Sequence, residues 1–251
     1  MSLKTAVTRV VDQIGNLILS PPYGGFGYYY NQGPRTRRAV AFTFDDGPGK
    51  PCTEQLLDTL GELGVKATFF CVGLSVQWHP DVVQRAFTEG HVIGNHSMMH
   101  SRKAGLLLRG GEHIDAADDA IAQVIGCRPH LYRPPWGWLT PWEGQRLRQR
   151  GYAVIGWDIY PDDWKVPEVP AEHLVAQIKP LVKPGSIILM HDSVSNQIRW
   201  EKTETARAVR LLTPWLRSEG YEIVTVPELL GLPAYRSSSR VPNTEGFDVK
   251  W

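Results

Sequence analysis

Ala39-Val40-Ala41-Phe42-Thr43-Phe44-Asp45-Asp46-Gly47-Pro48 is the stretch from which the rest of the chain is read. Residues 39–44 form an apolar, β-type run, and the run stops on two adjacent carboxylates and a Gly-Pro turn. Two neighbouring aspartates at a strand end repel one another unless a cation or separate hydrogen bonds relieve them. A metal on one and a proton-accepting role for the other would do so. A turn with an Asp capping the following helix is the plainer reading of the same residues.

Working outward, the β-type run at 39–44 is the first of seven, the others being 66–72, 91–94, 129–132, 152–157, 185–190 and 221–226. They alternate with helical patterns near 52–63, 75–89, 113–125, 141–150, 171–181 and 204–219. Such alternation predicts an α/β fold, a parallel sheet with crossover helices, either a barrel or a doubly wound sheet. The chemically loaded clusters fall at the C-terminal ends of different strands, which is how a barrel spreads its site. Ahead of this body, Leu3, Val7, Val10, Ile14 and Leu17 recur at helical steps and predict an amphipathic helix, followed by a Gly-, Pro- and Tyr-rich loop over 20–38. The Ser-rich stretch at the other end reads as a polar tail.

The composition narrows the class. With 251 residues, 42% of them hydrophobic, the chain can bury a large single core. Lys plus Arg (27) balances Asp plus Glu (26), so no global field draws it to nucleic acid or to an anionic membrane. Cys52, Cys71 and Cys127 lack the paired spacing of a structural zinc site and read as free thiols. No run approaches the ~18 apolar residues of a membrane-spanning helix, and no export signal is visible, so the expected location is cytoplasmic.

The second cluster is His96-Ser97-Met98-Met99-His100. If residues 96–100 make a helical turn, both imidazoles share a face and can grip one ion. Ser97 stands where zinc proteases of the H-E-x-x-H type carry their base, so a base must come from elsewhere. Two His and a carboxylate leave an open metal site that can activate water for amide or ester hydrolysis. The same triad also serves non-heme iron oxygenases. Three more clusters bear on that choice: Arg133-Pro134-Pro135-Trp136-Gly137, Asp163-Trp164, and Leu189-Met190-His191. A His beside an Asp has its protonated form favoured, which suits a general acid for a leaving amine.

In this order the TFDDGP, H-S-x-x-H, R-P-P-x-G and L-x-H strings resemble those of the polysaccharide deacetylases of carbohydrate esterase family 4, the NodB-homology domain, from about residue 38 to 226. The resemblance implies a distorted (β/α)7, TIM-like barrel, in agreement with the strand count. It divides the chain into 1–37, a catalytic domain over 38–232, and a tail over 233–251. It implies that Asp45 is the catalytic base, that Asp46, His96 and His100 bind a divalent metal, zinc first with cobalt or another transition metal next, and that Arg133 pairs with Asp45. The Trp136 N–H would help hold the oxyanion. Asp163 would orient His191, the general acid, while Trp164 and Leu189 wall an acetyl pocket. Two departures stand out: Trp136 replaces the usual Tyr, and Tyr160 replaces the first Asp of the D-x-x-D-W motif, which is expected to alter substrate contacts. The implied activity is removal of the N-acetyl group from an N-acetylated sugar, such as a chitooligosaccharide or peptidoglycan-type glycan. A small acetamide or an O-acetyl ester is the alternative substrate, and an inactive carbohydrate-binding protein the alternative of another class.

Overall fold

The structure, a computed structural model, describes residues 27–101, 110–165, 167–194 and 202–236. The amphipathic helix expected near the start and the tail beyond residue 236 lie outside them. In chain order the elements are β1 (Tyr29–Tyr30), β2 (Ala39–Asp45), α1 (Cys52–Leu63), β3 (Thr68–Cys71), α2 (Gly73–Trp78), α3 (Pro80–Thr88), β4 (Val92–Asn95) and α4 (Gly110–Ile125). They continue with β5 (Leu131–Tyr132), α5 (Pro141–Gln149), β6 (Ala153–Ile155), α6 (Ala171–Ile178), β7 (Ile187–His191), α7 (Thr203–Ser218), β8 (Glu222–Ile223) and α8 (Val226–Leu230).

Every strand pairing is parallel, in the order β1-β6-β5-β4-β3-β2-β7, with β8 beside the start of β2. Beyond β6, Ile159 bridges Ile188 of β7, and Gln32 bridges Ser186, so the sheet curls toward closure as a distorted barrel. The period-2 alternation of β2 then sorts its side chains. Val40, Phe42 and Phe44 pack outward with Leu56, Leu60, Val209 and Leu212 of the surrounding helices. Ala39 and Ala41 point the other way, into a cluster with Phe70, Leu131, Ile155 and Leu189. By the same alternation Thr43 and Asp45 face the barrel interior, where small residues below leave room for a buried polar network.

Proline accounts for the two helical boundaries that depart from the periodicity. The pattern over 75–89 divides into α2 and α3 because Pro80 cannot donate to a continuing helix and instead takes the first turn of α3. The pattern over 171–181 ends at Ile178 in a 3-10 turn through Pro180. The loop expected over 20–38 contains β1, whose Tyr29 and Tyr30 pair with Val154 and Ile155, so an eighth short strand joins the seven expected. Near the other end, Tyr235 accepts a hydrogen bond from the Ile93 N–H at 3.1 Å and stacks edge-on against Phe87. Among the described residues no helix is long and apolar enough to cross a membrane.

Candidate active site

Arg133, at the end of β5, is wholly buried, and its guanidinium is the hub of the barrel mouth. Its Nη1 donates to Asp45 Oδ1 at 2.7 Å and to Thr43 Oγ1 at 2.9 Å; Nη2 donates to the Gly156 carbonyl and Nε to that of Ile155. The ring of Phe70 lies 4.1 Å below its central carbon. A planar cation held on so many sides cannot swing, so it fixes one carboxylate oxygen of Asp45. The other, Oδ2, stands 3.7 Å from His96 Nε2.

Asp46 follows with φ of 78°, a left-handed turn that a non-glycine residue adopts at a cost of about 1–2 kcal/mol. That turn swings its side chain to the histidines: Asp46 Oδ1 is 3.2 Å from His100 Nε2 and 3.5 Å from His96 Nε2. One donor atom from each of Asp46, His96 and His100 lies within 4.8 Å of the others. Residues 96–100 do not form the expected helical turn. Ser97 (φ 67°) and His100 (φ 48°) are both left-handed, and a tight loop, not a helix face, brings the imidazoles to a centroid separation of 5.0 Å. The loop is pinned by the Gly73 and Leu74 N–H groups at the start of α2, which donate to the Ser97 and Met98 carbonyls, and by the His100 N–H, which donates to Ser97 Oγ.

The residues fit a divalent ion by their chemistry. His96 Nδ1 is 2.7 Å from the Arg133 carbonyl, which can only accept, so Nδ1 carries the hydrogen and the Nε2 lone pair faces Asp46. Burial, outweighing the Asp46 carboxylate, holds His100 down to about 4, the neutral form a metal requires. For Asp46, burial is outweighed by His100 and His96, and its carboxyl sits well below the usual range. For His96, burial is outweighed by Asp45 and Asp46, so its affinity for a proton rises: the two carboxylates ask for a positive charge between them.

Across the mouth, Asp163 accepts from the His191 backbone N–H at 2.6 Å and from His191 Nδ1 at 3.0 Å. Both contacts fix the ring and leave Nε2 as its outward nitrogen. Burial lowers the proton affinity of His191, but the Asp163 charge and hydrogen bond outweigh it and raise the balance above the ordinary value. The Tyr160 ring stands 6.3 Å from the imidazole of His191 and 5.8 Å from Trp157, half-exposed beside the expected acid. Trp136 (φ 62°) lays its indole against His100 at 5.2 Å. Trp164 is half-exposed next to Asp163, and Leu189 is buried in the inner cluster beneath the mouth.

Three polar residues of this region were not singled out from sequence. Asp192 accepts from the Gly47 N–H at 3.1 Å and from Thr53 Oγ1 at 2.7 Å, and a side chain at position 47 would collide with its carboxylate. Burial, reinforced by Asp46 and Asp45, pushes Asp192 up to about 7. Its signal was present, since His191-Asp192 is a second ionisable pair at a strand end. Asn95, directly before His96, carries the ordinary signal of an Asx turn. Asp118 sits inside α4 with nothing in its spacing to mark it.

A sequence model of the polysaccharide deacetylase family matches residues 32–155. A peptidoglycan-N-acetylglucosamine deacetylase of Bacillus cereus is 33% identical over 206 residues, covering 81% of this chain and 93% of that protein. The crystal structure of the Bc1960 peptidoglycan N-acetylglucosamine deacetylase in complex with 4-naphthalen-1-yl-N-oxidanyl-benzamide superposes with a TM-score of 0.78 at 30% identity, over 83% of this chain and 95% of the other. A family 4 acetyl xylan esterase from Clostridium thermocellum, in complex with a cobalt ion, gives 0.66 at 33% identity, over 78% and 93%.

Proposed function

The chain belongs to the polysaccharide deacetylase family, and on that premise we propose that it hydrolyses the N-acetyl amide of an N-acetylglucosamine-containing glycan, releasing acetate and a free amino sugar. The observation that carries this reading is the split between adjacent carboxylates: Asp45 is bound to Arg133, and Asp46 faces both imidazoles.

In the proposed mechanism Asp46, His96 and His100 would hold one divalent ion, zinc first. Such an ion, when bound, acidifies water and polarises a carbonyl. Asp45 accepts the proton of the attacking water at Oδ2, because Oδ1 is committed to Arg133. The Trp136 N–H donates to the oxyanion that develops on the acetyl carbonyl, an interaction that in a water-poor site is worth about 2.7–4 kcal/mol. His191 gives the proton on Nε2 to the departing nitrogen, while Asp163 keeps Nδ1–H and so the ring orientation. Trp164 and Leu189 shape the acetyl pocket, and Tyr160 meets the sugar beside the acid.

Acetate release from N-acetylglucosamine oligomers, acetylated xylan and small acetamides tests the substrate class. The oligomers are expected to be preferred, with activity lost to a chelator and restored by zinc or cobalt. The likeness to the acetyl xylan esterase supports O-acetyl esters as the second reading, and faster turnover of acetylated xylan would establish it. Turnover that survives thorough chelation would contradict the metal assignment.

A further inference from the structure

The left-handed loop carrying the two histidines is anchored from below by a buried amide. Asn95, the last residue of β4, is fully buried; its Oδ1 accepts from the Ser97 N–H at 2.7 Å, and its Nδ2 donates to the Ile114 carbonyl at 2.8 Å and to Asp118 Oδ1 at 2.6 Å. These partners define the amide orientation, because a flipped amide would set its oxygen against two acceptors and its NH2 against a donor. The contact to Ser97 closes an Asx turn at the point where the chain leaves the strand for φ of 67°.

Asp118 is fully buried and reaches the loop through the Asn95 amide, whose oxygen accepts from the Ser97 N–H. Its second oxygen, Oδ2, accepts from the Tyr152 hydroxyl at 2.6 Å and from the Arg236 guanidinium. A carboxylate in such a place is kept out of water at a cost, and both oxygens of Asp118 are partnered. Here the partners connect into one path, from Arg236 and Tyr152 through Asp118 and Asn95 to Ser97, between the two imidazoles.

We propose that Asp118 is a positioning residue for the metal site: it holds the Asn95 amide so that the 96–100 loop is preset with His96 and His100 around the Asp46 carboxylate. Tyr152 and Arg236 hold Asp118 in turn. This rests on the reading of Asp46, His96 and His100 as metal ligands.

The test is zinc affinity of the full chain, measured by competition with a chromogenic chelator, with the visible absorption of bound cobalt as a second readout. Loss of an outer partner typically weakens metal binding about 10–100-fold, so Asp118→Ala is expected to weaken zinc by at least about tenfold and to alter the cobalt spectrum. Asn95→Ala should do the same, and the double variant should lose no more than Asn95→Ala alone, because Asp118 acts through that amide. If Asp118→Ala does not fold, Asp118→Asn takes its place in the cycle, with an expected loss of at least about threefold by the same reasoning, since one carboxamide cannot satisfy Asn95, Tyr152 and Arg236 together. Variants that fold, melt at lower temperature and bind zinc as the parent does would overturn the proposal and leave Asp118 a structural residue. Fully additive losses would also overturn it. A parent chain that binds neither zinc nor cobalt would overturn the metal assignment itself, and the proposal with it.

Discussion

Side chains along β2 alternate between faces, so Asp45 enters the barrel where Arg133 waits, and the left-handed Asp46 leaves it for the histidines. The carboxylates and histidines were readable as clusters because each stands at the end of an apolar run. Their partners came only from the family resemblance, which implied Arg133 for Asp45, because that bond spans 88 residues and no local spacing encodes it. The same holds for Asp163 and His191, 28 residues apart. The sign of the pH dependence follows from that pair. His191 binds its proton more tightly when folded than unfolded, so the pair contributes stability that is present below the unfolded value and lost as pH rises through the folded one. The proposed acid works only while protonated, so activity should fall over the same rise. Asp163→Asn removes the charge that raises His191, and the alkaline limb of kcat/KM, measured at saturating zinc, is expected to move to lower pH. An unmoved limb would assign it to another group.

Helix α2 illustrates what periodicity can and cannot supply. Its existence was legible in the 75–89 pattern, but its hold on the loop of the two proposed histidine ligands depends on a close approach. The Gly73 N–H donates to the Ser97 carbonyl at 2.9 Å, and a side chain at 73 would press on Met98 Sδ and, at 3.0 Å, on the Ala117 backbone. The helical turn expected over 96–100 fails for a related reason. His-x-x-x-His spacing suits a helix, but tertiary hydrogen bonds from Asn95 and α2 hold Ser97 and His100 outside the helical region. β1 escaped notice because two tyrosines among glycines carry no strand period. Gly73→Ala is expected to lower stability by about 1–3 kcal/mol through overpacking and to weaken zinc binding together with it. Gly61→Ala in α1, where a new methyl meets nothing within 4 Å, should be neutral or stabilise by about 1 kcal/mol. Thermal melts with and without zinc separate the two; equal effects would contradict that hold on the loop.

For the molecule as a whole, the barrel was legible because seven apolar runs and the chemistry at their ends carry the same message, while closure through Gln32 and Ile159 rests on single bridges that leave no pattern. Stability of the fold away from the site should also respond to pH. His91 is buried, its Nδ1 accepts from the Ala67 N–H, and burial, reinforced by Lys66, holds it down to about 4. The folded state therefore disfavours the proton, and stability present above the unfolded value of about 6.5 is lost as pH falls toward 4, by a few kcal/mol at most. Chemical denaturation across that range should show the loss, and His91→Asn, which retains an acceptor, should flatten it; parallel curves would place the titration elsewhere. Two adjacent aspartates divide the proposed work, and paired substitutions read out that division directly. Metal content and acetate release are measured on Asp45→Asn and Asp46→Asn. Asp45→Asn is expected to retain about one equivalent of zinc, with turnover falling by roughly 10²–10⁴-fold as for loss of a general base, whereas Asp46→Asn loses the metal and the activity together. Unchanged turnover in Asp45→Asn, or full zinc occupancy in Asp46→Asn, would contradict that division.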